Sequence, residues 1–193
     1  MSRINYIFVD FENVPVADLD RIANRPVKVM LILGERHKSL PLPMVKLIQK
    51  YSDQVALVET GLNGKNALDF VLACEVGRQS MEDPDGYFHV VSRDKGFDAL
   101  IKHLKQKGLH AGRRQTLGEI LVLMNLAERL THVAAQFKVG TGSRPKTRKT
   151  LESHVHAAFG KVLSTEEVKE TIQGLVAQKL IALTEKGAVT YKV

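Results

Sequence analysis

Short apolar segments alternating with helical ones constrain this chain more than any other feature. "INYIFVDF" (4–11) and "VKVMLILG" (27–34) are rich in β-branched and aromatic residues, and turn residues follow each. "PVADLDRIAN" (15–24) lies between them and reads as a helix. The alternation continues with a helical "LPMVKLIQKYS" (42–52), a strand "QVALVET" (54–60) and a helix over "GKNALDFVLACEVGRQSM" (64–81). A fourth strand, "GYFHVVSR" (86–93), leads into the amphipathic "DKGFDALIKHLKQKG" (94–108), which Gly108 stops. "LHAGRR" (109–114) suits a short last strand, and "TLGEILVLMNLAERLTHVAAQF" (116–137) a long helix. Strands that alternate with helices predict an α/β fold with a parallel, doubly wound sheet. In such sheets, ligands bind outside the carboxyl ends of the strands.

The pattern breaks after Phe137. "KVGTGSRPKTRKT" carries five basic residues, two glycines, a proline and no acid. It reads as a flexible basic linker over 138–149, between a first domain at 1–137 and a small module at 150–193. That module has a helix candidate in "LESHVHAAFG" (151–160). A second begins with the capping box Ser164–Glu167. Two strands then flank a turn at Lys186-Gly187. Helix, helix and hairpin predict a winged-helix-like α+β module. From 150 onward five lysines balance five glutamates. The module is therefore not an obvious DNA clamp, and capping the first domain or joining two copies into a homo-oligomer suits it equally.

One cysteine, Cys74, rules out an internal disulfide framework and a cysteine-rich zinc site. No apolar run is long enough to span a membrane, and "MSRINYIFVD" reaches Asn5 and Asp10 too soon for a signal peptide. These features predict a cytoplasmic protein without membrane contact. The net charge of +7 points to a polyanionic partner, nucleic acid first, although solvated surface lysines would also account for it.

The acids fall where the fold class places function. Asp10 ends the first predicted strand, Asp94 follows the fourth, and Asp98 lies one helical turn beyond Asp94. Asp69 sits among Leu68, Phe70, Val71 and Leu72, where an unpaired carboxylate is costly. Local explanations exist for each. Asp10 and Asp94 could cap helices, Asp69 could pair with Lys65 or Arg78, and Asp98 and Glu12 could be solvated. Taken together, acids converging on one sheet edge repel one another, and a divalent cation relieves that repulsion. Oxygen ligands without cysteine or a histidine pair favour Mg²⁺ or Mn²⁺, and a basic chain with such a site suits a phosphodiester substrate.

At these residues the chain resembles a known family. "FVDFENV", "GKNALDFVLACEVGR" and "VVSRDKGFDALIKHLKQKG" look like the three motif blocks of PIN-like nucleases, in particular the NYN-type branch, across roughly residues 4–130. The resemblance implies a parallel sheet with helices on both faces, and Mg²⁺- or Mn²⁺-dependent cleavage of RNA and in some members DNA. It implies that Asp10, Asp69 and Asp94 are metal-site acids and that Asn13 supports Asp10. It also implies that Lys65 lies near phosphate and that Ser92 holds a ligand or a water. Many NYN-type members carry a second acid two residues after the one matching Asp94. Here that position is Gly96, and Asp98, two residues later and one helical step along, is expected to take that acid's place as a metal ligand.

The positive charge needed to hold a backbone follows the same strand. "IKHLKQKGLHAGRR" (101–114) ends in Arg113 and Arg114, expected to face a ligand from an exposed turn, and Lys95 beside Asp94 joins these expected nucleic-acid contacts. Aromatic residues are 6% and tryptophan is absent, so backbone-driven contact is expected. The resulting expectation is a ribonuclease, probed against a nucleic-acid-binding protein of the same fold with weak or no catalysis, which Gly96 motivates. A phosphatase with Asp10 as nucleophile is the weaker alternative, since Asn13-Val14-Pro15 lacks the usual hydroxyl, and no glycine-rich phosphate loop is present.

Overall fold

The computed structural model describes residues 3–14, 18–61, 64–139, 144–184 and 187–192. The chain forms two compact units, Met1–Ile120 and Leu121–Val193.

The first unit is built on five parallel strands: β1 (Asn5–Asp10), β2 (Val27–Leu33), β3 (Val55–Glu59), β4 (Tyr87–Val91) and β5 (His110–Arg114). Their order is β3-β2-β1-β4-β5, so the chain winds outward from β1 to one edge and then crosses to the other. β1 is therefore central, and all six of its residues are buried. This explains why its sequence is an apolar run rather than an alternation. Tyr6, Phe8, Met30, Ile32, Phe88 and Val90 form one face of the sheet. Helices α2 (Ala67–Glu82) and α3 (Phe97–Gln106) cover that face with Leu68, Leu72, Val76, Phe97, Ile101 and Leu104. Helix α1 (Leu42–Lys50) connects β2 to β3 and starts at a proline, where the missing N–H costs nothing.

Two expected helices differ. Between β1 and β2 only a 3₁₀ turn forms, at Leu19–Ile22; residues 15–17 of the expected helix lie outside the described residues. Asn24 adopts a left-handed φ of 58° and ends the turn, two residues ahead of Pro26. The expected helix over 116–137 is broken as well. Leu117–Glu119 and Leu121–Leu123 are 3₁₀ turns, and the true helix is α4 (Leu126–Val139). Asn125 starts it afresh: its Oδ1 accepts from the Glu128 N–H at 3.0 Å, while Glu128 Oε2 accepts from the Asn125 N–H at 2.9 Å. That reciprocal pair is a capping box.

In the second unit α4 is followed by α5 (Arg148–Ala158), α6 (Thr165–Ala177) and the antiparallel pair β6 (Ile181–Leu183) and β7 (Val189–Tyr191). Helix α4, grouped with the first domain on sequence, contributes Leu130, Val133 and Phe137 to this unit's core. Basic residues expected in the linker partly belong to structure: Arg148 and Lys149 open α5 behind the cap Thr147. Residues 140–143 and Lys186 of the expected hairpin turn lie outside the described residues. The Ser164–Glu167 capping box forms as expected. An isolated antiparallel bridge joins Thr147 to Ala188, so the order helix, bridge strand, two helices and hairpin is winged-helix-like. Arg129, 4% exposed in its side chain, ties α4 to α6 through Glu167 and Glu170. Helix α6 thereby presents acids in its first turn rather than a basic face. Among the described residues no helix is long and apolar enough to cross a membrane.

Candidate functional site

Asp10 is the last residue of β1 and is fully buried. A buried carboxylate must be hydrogen-bonded, and three donors meet it. Asn13 Nδ2 donates to Oδ2 at 2.6 Å, Ser92 Oγ donates to the same oxygen at 2.7 Å, and the Asn13 N–H reaches Oδ1 at 3.3 Å. The tight turn that returns Asn13 to Asp10 is closed by the Val14 N–H on the Asp10 carbonyl. Asn13 thus stands beside Asp10, as the resemblance implies, whereas Ser92, expected to hold a ligand or a water, is itself fully buried and spends its hydroxyl on Asp10.

β4 delivers the second acid. With its proton on Asp10, the Ser92 hydroxyl accepts from the Asp94 N–H at 3.0 Å. One serine therefore links the ends of β1 and β4. The Asp94 carboxylate is exposed and takes the Gly96 N–H at 2.7 Å, so it also caps the approach to α3. Asp69 lies in the first turn of α2. Burial pushes its carboxyl above the usual carboxylate range, and the charges of Asp10, Asp94 and Glu12 push it further. Among the described residues Asp69 makes no ion pair; Arg78 pairs with Glu75 and Glu82 instead.

Glu12, Asp69 and Asp94 line a cleft of about 540 Å³ at the carboxyl ends of β1, β2 and β3, with Asn13 beside them; Asp10 is fully buried and borders the cleft only through Asn13. The acids ring the cleft rather than meet at a point: among the described residues no three carboxylate, imidazole or thiol groups stand together closely enough to enclose an ion. The donor set nevertheless suits a hard divalent cation. It is all oxygen, and burial and the neighbouring acids raise the proton affinity of Asp69 in the absence of a cation. The cleft also holds a buried hydroxyl, Thr60 Oγ1, that has no hydrogen-bond partner among the described residues. Such an atom calls for a polar guest.

Lys65 is exposed on the cleft rim, as expected. Other expected residues are placed elsewhere. Asp98 is not in the cleft wall. Its carboxylate accepts from Arg113 Nε at 2.6 Å, and that hydrogen bond holds it below the usual carboxylate range. Arg113 also donates to the Ser92 carbonyl at 3.1 Å, so its guanidinium is committed to the protein. Arg114 folds back along β5 to the Arg113 carbonyl at 2.8 Å. Lys95 is exposed on the loop after Asp94.

Sequence reasoning left Glu12 undecided and missed Gly34, Arg36, Thr60 and Asn66, all of which line the cleft. Gly34 directly follows β2, under Glu12. A Cβ there would stand 2.0 Å from Glu12 Oε1, so the glycine makes room for that carboxylate. The available signal was position: "GERH" directly follows the second strand, as Thr60 follows the third.

A family model, that of the PIN domain, matches residues 4–114, more than half of the chain and within the first unit. The chain belongs to the PIN domain family. Members of this family are in general nucleases that need metal. No curated protein and no solved structure matches the chain.

Proposed function

We propose that this protein is a Mg²⁺- or Mn²⁺-dependent ribonuclease of the NYN-type branch, cutting phosphodiester bonds within RNA. The observation that carries this reading is Asp10: a fully buried carboxylate, held by Asn13 and Ser92, at the edge of a cleft walled by Glu12, Asp69 and Asp94. Asp10, Asp69 and Asp94 are the residues that would hold the cation. When bound, a divalent ion would supply an activated water and positive charge against the displaced oxygen. The chain's own contribution is order. Asn13 and Ser92 remove the rotational freedom of Asp10, and Ser92 sets the backbone of Asp94 at the same time. Lys65 and Arg36 stand at the rim with charges that suit phosphate oxygens. The order of the three motif blocks along the chain supports the NYN-type assignment.

The test is cleavage of defined RNA and DNA by the purified chain in Mg²⁺, Mn²⁺ and chelator. The expected result is metal-dependent cutting of RNA that Asp10→Asn abolishes. Equal cutting by Asp10→Asn, or no cutting in any divalent metal, would sink it. A second reading is a nucleic-acid-binding protein with little catalysis. The open ring of acids and the engagement of Asp98 by Arg113 favour it. RNA binding without cleavage in every divalent metal is its signature.

A further inference from the structure

Phe70 immediately follows Asp69 in α2, yet its side chain is 70% exposed. What sets this exposed ring apart from others on the surface is its place beside the acidic cleft, where it offers a flat apolar face to a guest. The ring forms one wall of a groove of about 290 Å³, with Ala73 behind it and Phe97 and Leu100 of α3 opposite. This groove is distinct in character from the cleft, since its walls are apolar, but continuous with it: Asn66, Asp69 and Asp94 line both. Gly96 also borders the groove. A Cβ there would come within 3.2 Å of Asp94 Oδ1, so the glycine keeps this side low and the groove open.

We infer that this groove is a nucleobase subsite, in which one unpaired base of the bound strand stacks on Phe70. The inference rests on the ribonuclease reading above and adds what the strand does beside the acids. A strand whose phosphate lies in the cleft must place a neighbouring nucleotide alongside it, and the groove is the adjoining apolar space. Every base has a π-face, so stacking on phenylalanine accepts any sequence. The rim adds polar selection. Asn66 is held in a left-handed conformation (φ 63°) at the start of α2, and its side chain caps nothing. Its amide is thus available to a base edge. Stacking requires an unpaired base, so the site selects single-stranded segments over duplex.

The chain has no tryptophan, so Phe70→Trp installs a single reporter. Its fluorescence is followed while a short single-stranded phosphorothioate oligonucleotide is titrated in Mg²⁺, beside an abasic oligonucleotide with the same backbone. The expected result is quenching by the base-bearing strand and none by the abasic one. Phe70→Ala is expected to weaken binding of the base-bearing strand by on the order of ten- to a hundredfold, and to leave abasic binding unchanged. Unquenched tryptophan and unchanged affinity in Phe70→Ala, with the wild type still binding and cutting RNA, would overturn the stacking site alone. A wild type that neither binds nor cuts would remove the ribonuclease reading and this site with it. If instead the wild type sediments as a dimer that Phe70→Ala dissociates, with oligonucleotide affinity unchanged, the groove is a contact between copies and the inference falls.

Discussion

The Ser92 hydroxyl donates to Asp10 Oδ2 at 2.7 Å, across 82 residues of sequence, and accepts from the Asp94 N–H at 3.0 Å. A single buried side chain therefore sets two acids relative to each other. The parallel register makes this possible: Val9 pairs with Val91, so the ends of β1 and β4 are level.

Ser92→Ala removes both bonds. Asp10 keeps Asn13, but its carboxylate loses one donor in a buried place. The expected cost is about 1–3 kcal/mol of stability, read as a lower midpoint in thermal denaturation. RNA cleavage should fall by a larger factor than the change in folded population explains. A variant with full cleavage would show that Ser92 serves the fold alone.

Gly34→Ala places a methyl group where Glu12 Oε1 now lies, 2.0 Å from it. Glu12 is a flexible side chain and can swing aside, so stability should change little while the carboxylate leaves the cleft. Gly34→Ala and Glu12→Ala should then have the same effect on Mn²⁺ affinity, measured calorimetrically, and the double variant should add nothing. Additive losses would mean that the two residues act separately.

Asp98→Asn should leave Mn²⁺ affinity close to that of the wild type, whereas Asp10→Asn and Asp94→Asn lower it. Asp98 is occupied by Arg113 and stands outside the cleft wall. A loss of Mn²⁺ affinity as large as that of Asp94→Asn would place Asp98 among the ligands after all.

His89 gives the first unit an acid sensitivity. Its Nε2 pairs with Asn5 Oδ1 at 2.9 Å, while Nδ1 is buried without a partner among the described residues. Burial, aided by the Arg114 charge, lowers its pKa from 6.5 to about 3. Above pH 6.5 the ring is neutral whether folded or unfolded, and it contributes no pH dependence. Below that the unfolded chain takes up a proton that the folded one refuses until about pH 3. Stability should fall by about 1.4 kcal/mol per pH unit across this window. Thermal midpoints of the wild type should therefore drop between pH 6.5 and 5 more steeply than those of His89→Gln. Parallel curves would rule His89 out as the cause.

Strand positions were legible because burial on both faces leaves an uninterrupted apolar run, as in β1. Capping boxes form at Asn125, Thr147 and Ser164, and their residue spacing is legible locally, although only that at Ser164 was used; the first, overlooked, breaks the helix expected over 116–137. The position of Asp10 followed from the run it ends. What its neighbours do did not. Arg113 looked like a free phosphate contact, and Asp98 like a ligand one turn from Asp94. The register of β5 against β4 sets Arg113 opposite Val90, from where it reaches both Asp98 and the Ser92 carbonyl. Likewise Glu12 lies over Gly34 only because β1 and β2 end level, Asp10 pairing with Ile32. Periodicity, apolar runs and caps belong to neighbours in sequence, so the sequence by itself determined the strands, the helices α1, α2 and α3 and the acid at the end of β1. Partnerships at a sheet edge join residues from different strands, and only the tertiary register decided which charges are spent on one another and which face the cleft.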